Sequence, residues 1–136
     1  MPENELQNGV ALFNAGRFFD AHEVLEDVWR EAPRHSPLRR HLQGMVQLAV
    51  AFHHQSKGNH VGARSVLERA VRNISGADSS FPDLDLDRLR AELALWRQHL
   101  DHSGSAGERK LEGRDVRRHG VLNSSAPALP KIRKHR

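Results

Sequence analysis

The chain contains no cysteine in its 136 residues, which rules out disulfides and thiolate metal sites. No run approaches the roughly 18 uninterrupted apolar residues that a membrane-spanning helix needs. The opening "MPENELQNG" lacks the basic-then-apolar layout of a secretory leader. The expectation is a soluble cytoplasmic protein with no membrane partner. A phosphate-cradling loop is missing as well, because "GNHVGA" carries neither the Lys nor the Ser/Thr of a P-loop.

Positive charge is present but unevenly placed. The net charge is +4, yet residues 101–136 carry nine Lys/Arg against four Asp/Glu, and residues 1–100 carry twelve against thirteen. The body is near neutral and the basicity belongs to a tail. Any nucleic-acid contact is therefore expected to be weak, nonspecific and confined to that tail, for instance through "PKIRKHR".

Helical periodicity dominates the body. Leu6, Val10 and Phe13 mark a first helix over about 3–14, and a second covers about 18–32, stopping before Pro33. Ser36 followed by Pro37 is a capped helix start, and that third helix is expected to run to Lys57. A fourth spans about 60–74. After the loop "SGADSSFPD", a fifth runs over about 83–100 with Leu86, Leu89, Leu93 and Trp96 as its stripe. Beyond Leu100 the pattern dissolves among Gly, Ser, Pro and basic residues. Residues 101–136 are expected to be a largely disordered tail, with at most a short helix around 108–118.

Two segments repeat. "GRFFDAHEVLE" (16–26) and "GNHVGARSVLE" (58–68) match at Gly, Ala, Val, Leu and Glu, 42 residues apart. Each follows a Gly turn and sets a small Ala where neighbouring helices approach. Tetratricopeptide hairpins use this logic, at a period of about 34. The fold expectation is an all-α single domain over 1–100: a small bundle of two tetratricopeptide-like hairpins and a closing helix.

One residue escapes the packing explanation. On a helical wheel Phe18, Ala21, Leu25, Val28 and Trp29 share one sector. His22 falls inside that sector and Glu26 at its border, one turn apart and within reach of each other. The second copy has Arg64 where the first has His22. On the third helix Gly44, Gln47, Ala51 and His54 share a stripe suited to close helix approach around a polar pocket, and His54 is the better pocket candidate than His53.

"FNAGRFFDAHEVLEDVWRE" and "LQGMVQLAVAFHHQSKGNHVGARSVLERA" together resemble the uncharacterised prokaryotic family catalogued as domain of unknown function 309. That family is recognised by a His-x3-Glu-x2-Trp pattern, matched by His22, Glu26 and Trp29. Its later elements are matched by Gln47, His54, Gly58, Asn59, Gly62 and Ala63. The resemblance covers about residues 8–74. It implies a small helical fold and a suspected metal-binding or catalytic role, with no defined reaction.

Three readings follow for the stripe. In the first, His22, Glu26 and His54 ligate a divalent metal such as zinc, with Gln47 or water completing the shell. "HEVLE" is not the zincin motif, since its second His is missing. In a metal-free version Glu26 orients His22 as general base, with His54 also a candidate catalytic group. In either, Trp29, Gln47 and Asn59 are the candidate ligand contacts. In the third reading the polar residues are a hydrogen-bond network that sets helix register, and the domain is an interaction module for a peptide or protein. Two hairpins are few for a solenoid, so a homodimer is also expected.

Overall fold

The computed structural model describes residues 2–108 and 126–135, with side chains over 4–102 and 126–135. Among the described residues five α-helices follow one another: α1 (Pro2–Asn14), α2 (Phe18–Glu31), α3 (Pro37–Ser56), α4 (His60–Asn73) and α5 (Leu86–Glu108), with a 3-10 turn at Ala77–Ser79. Helices adjacent in sequence pack on one another, α4 more extensively on α3 than on α5. The all-helical expectation holds. Among the described residues the sole β feature is an isolated antiparallel bridge between Leu84 and Lys134.

Local chemistry accounts for the boundaries. Gly16 and Gly58 both adopt positive φ, 81° and 80°, and let the chain turn out of α1 and α3. Ser36 caps α3 by accepting from the Arg39 N–H at 3.2 Å, with Pro37 in the first turn. Asn59 caps α4 by accepting from the Gly62 N–H at 3.0 Å.

The repeat is a packing repeat. Ala21 and Leu25 on α2, and Ala63 and Leu67 on α4, are all fully buried. Small residues let the helices close in. A Cβ on Gly9 would sit 2.7 Å from Leu25 Cδ2, and one on Gly44 would sit 2.6 Å from Ile74 Cγ2. An aromatic cluster joins the hairpins to α5. Phe13, Phe18 and Phe52 pack edge-on or tilted, and Trp96 meets Phe52 edge-on at 5.2 Å.

The C-terminal third departs from expectation twice. First, α5 begins at Leu86 and continues through Glu108, past the last apolar stripe residue at Leu100. Asp101 lies on this extension and pairs with Arg64 of α4 at 2.8 Å, a tertiary contact that apolar periodicity does not register. Second, residues 126–135, expected to be disordered, lie as an extended strap against the body. Pro130 and Ile132 are buried there, Ile132 at 2% exposure. Two inward side chains spaced two apart, held by side chains distant in the chain, replace a continuous apolar stripe. The short helix expected around 108–118 falls outside the described residues except at Glu108.

Candidate functional site

His22, Glu26 and Trp29 are all half-buried along one edge of α2. Their surroundings differ. His22 stacks obliquely on Phe19, ring centroids 5.7 Å apart, and Phe19 is itself 51% exposed. His53 of α3 also approaches Phe19, at 5.5 Å. Glu26 turns to Arg30 on its own helix at 3.2 Å instead of to His22. Trp29 lies under the Arg39 guanidinium of α3, 4.2 Å from the ring centroid, and its buried Nε1 has no protein partner.

The counterpart stripe on α3 is likewise divided. Gly44 and Ala51 are buried, the close approach that the small residues foretold, but among the described residues no shared polar pocket forms. Gln47 Oε1 accepts from Asn73 Nδ2 on α4 at 2.8 Å. Asn59 Nδ2 lies 3.3 Å from His54 Nδ1, while the Asn59 oxygen caps α4. A Cβ on Gly62 would collide with the Asn59 carboxamide, so "GNHVGA" is a turn-and-cap device. Among the described residues no group of three or more His, Asp or Glu side chains is placed to hold a metal ion. His22, Glu26 and His54 are thus not gathered into a ligand set, because each is oriented by a different neighbour. His53, not His54, shares surroundings with His22.

Comparison of the two copies explains the edge position. Arg64 and Glu68 stand where His22 and Glu26 stand, and both reach α5. Arg64 pairs with Asp101 at 2.8 Å, and Glu68 receives two bonds from Arg97, each 3.0 Å. These positions border the joint between a hairpin and the helix after it. An open cleft of about 610 Å³ is lined by Arg34, His35, Arg39, Arg40, Gln43 and Asn73, and none of His22, Glu26, Gln47 or His54 lines it. His41, 2% exposed, bonds Ser80 Oγ at 2.6 Å. Burial, then the adjacent Arg40 charge, lowers its pKa; a Ser75 backbone bond and Asp78 oppose this.

The most developed recognition geometry lies around the strap. Asn14, the last residue of α1, donates through Nδ2 to the Ile132 carbonyl (2.9 Å) and accepts through Oδ1 from the Ile132 N–H (2.8 Å). Glu92 of α5 accepts the Lys131 N–H at 3.0 Å and the Arg133 guanidinium at 2.8 Å. Trp96 Nε1 donates to the Ala128 carbonyl at 2.9 Å. Backbone bonds run from Asp85 N–H to the Arg133 carbonyl (2.7 Å) and from His135 N–H to the Asp83 carbonyl (2.9 Å). Sequence reasoning missed Asn14, Glu92 and this role of Trp96. The one local signal was the alternation of Pro130 and Ile132 with polar or exposed residues.

The fold and site define a class: small proteins of consecutive helical hairpins. Within that class, the model of the family described as "Domain of unknown function (DUF309)" matches residues 6–66, the span from α1 into α4. The resemblance read from the motif is therefore shown for that span. The chain is 35% identical over 79 residues to "Uncharacterized protein YpuF" of Bacillus subtilis (strain 168), covering 57% of this chain and 45% of the relative. It is 28% identical over 81 residues to an "Uncharacterized protein" of Aquifex aeolicus (strain VF5), covering 60% of this chain and 24% of the relative. The aligned part spans less than half the length of either relative. The rest of α4, all of α5 and the strap lie outside the family match.

Proposed function

We propose that this chain is a tetratricopeptide-like interaction module whose ligands are extended peptide segments. One observation carries the reading: residues 126–135 are held in extended form by body side chains that bond the segment's backbone on both its donor and acceptor sides. The Asn14 carboxamide takes up both the N–H and the carbonyl of Ile132. This is how peptide-binding domains recognise a strand, with main-chain bonds supplying affinity and alternate side chains supplying selectivity. The family signature supports it indirectly, since His22, Glu26 and Trp29 border a hairpin joint instead of converging on a reactant. The alternative, a His22/Glu26/His54 pocket holding a divalent metal or small ligand, has no convergent geometry behind it.

The test uses the full chain with a specific protease site placed between residues 109 and 125. After cleavage, the C-terminal fragment should co-elute with the body and exchange saturably with a labelled peptide of residues 126–136. Loss of the fragment, with no saturable binding of the peptide by a body that stays helical, refutes the reading.

A further inference from the structure

Resting on the peptide-binding reading, we infer that the strap groove is a specific site for a basic extended peptide supplied in trans. Its recognition pattern is Pro-x-Ile-Arg, and the chain's own residues 126–135 act as a built-in competitor for it. The groove states the pattern residue by residue. At the first position Pro130 is buried, and proline brings no N–H to be left without a partner. Two residues on, Ile132 is buried to 2% exposure while its backbone is read by Asn14, which is indifferent to side-chain identity. The next residue, Arg133, meets Glu92 at 2.8 Å, and the other oxygen of that carboxylate holds the Lys131 N–H at 3.0 Å. Arg133 is half-buried and Glu92 is 23% exposed, so the pair is partly shielded from solvent.

Charge favours the same class of ligand. Arg133 and Lys134 run beside a stretch of the body with Asp83 and Asp85, whose main chain bonds Arg133 and His135. The segment adds little to the core. Among the described residues its buried members are Pro130 and Ile132, while the other buried hydrophobic residues lie between Phe13 and Leu100. A body that holds nearly all of the core by itself has the property of a receptor occupied by a ligand.

Tethering sets the size of the competition. A ligand carried on the same chain as its site can meet that site at about millimolar effective concentration. For a peptide whose intrinsic Kd is about 10 μM, the tethered copy weakens binding in trans about 100-fold. The experiment compares the intact full chain with full-length Ile132→Asp. The probe is a labelled peptide of residues 126–136, read by fluorescence anisotropy, with the Ile-to-Asp peptide as control. The released variant should bind the wild-type peptide at least tenfold more tightly than the intact chain does. It should ignore the control peptide and lose affinity when Glu92→Gln is added. Equal binding by the two chains, or loss of helical circular dichroism in Ile132→Asp, overturns the inference. If the cleaved chain exchanges peptide but the two intact chains bind it equally, only the competitor role falls. If the cleaved chain binds nothing, the peptide-binding reading falls with it.

Discussion

Asn14→Ala is the sharpest probe of how the strap is held. In the wild type one carboxamide satisfies both the N–H and the carbonyl of Ile132, at 2.8 and 2.9 Å. Truncation to Ala strands both groups beside a residue only 2% exposed. Each buried group left unpaired costs about 1–3 kcal/mol. Against this, Ala at the end of α1 returns at most about 0.7 kcal/mol of helix propensity. The sum has a ceiling, because the strap can lift off once the cost exceeds its own docking free energy, and water then satisfies the freed groups. A loss of about 2 kcal/mol is therefore expected, taken from strap docking and not from the helical body; it corresponds to roughly a 30-fold shift in the docking equilibrium. Hydrogen exchange resolves the two. The Ile132 and Lys131 amides should exchange about 30-fold faster in Asn14→Ala if this equilibrium controls their exposure, while α2 and α3 amides keep their protection. Trp96 fluorescence should shift toward that of a more exposed indole as its Ala128 partner departs. If Ile132 exchange changes less than about threefold, the carboxamide clamp is not what holds the strap. If α2 and α3 lose protection to the same degree, the strap is an integral part of one cooperative core.

Further outcomes follow from the packing and the charges. His22→Ala should lower stability by less than about 1 kcal/mol, because the ring stacks on an exposed Phe19 and has no hydrogen bond among the described residues, whereas Leu25→Ala should cost about 2–5 kcal/mol; equal losses in urea titrations would contradict this placement of His22. Gly44→Ala puts a Cβ 2.6 Å from Ile74 Cγ2 and 3.1 Å from the Asn73 carbonyl carbon. Overpacking of about 1–3 kcal/mol then exceeds the gain of up to about 1 kcal/mol from helix propensity, and a variant more stable than wild type would show that α4 yields freely. Acid should destabilise the fold through His41 and His99. Both have folded pKa values below the ordinary imidazole value; burial is the main cause, with Arg40 acting on His41 and with His60 and His102 acting on His99. The unfolded chain then binds more protons than the folded one, so this stability is present above about pH 6.5 and is lost as pH falls through the lowered values. The urea midpoint should drop between pH 7.5 and 5, less so in a His41→Gln, His99→Gln double variant; an unchanged midpoint in the wild type would contradict it.

Much of the body was legible because its determinants are local. Ser36–Pro37 starts α3, Gly16 and Gly58 turn the chain at positive φ, and the matched Ala21/Ala63 and Leu25/Leu67 positions pack as the repeat implies. The motif was legible as a pattern but not as chemistry. His22 and Glu26 are one turn apart, close enough to touch, yet Glu26 has Arg30 equally close and takes the opposite charge. Gln47 and His54 share a stripe, yet Asn73 and Asn59 at opposite ends of α4 engage them separately.

Periodicity, caps and glycine turns are set within a few residues of chain, and the sequence alone therefore determined an all-helical body, its hairpin repeat and most helix ends. What a half-exposed imidazole or carboxylate touches depends on side chains brought in from other helices. Only the tertiary structure decided that His22 shares Phe19 with His53, and that Trp29 lies under Arg39. The strap is the extreme case. Its anchor pairs Asn14 with Ile132, separated by 118 positions, and no local window joins a helix-terminal asparagine to an isoleucine in a polar tail. Composition assigned that segment to disorder because it carries too little apolar surface to fold by itself. The body supplies what it lacks: a pocket for one isoleucine, a carboxylate for one arginine, and polar side chains for its backbone.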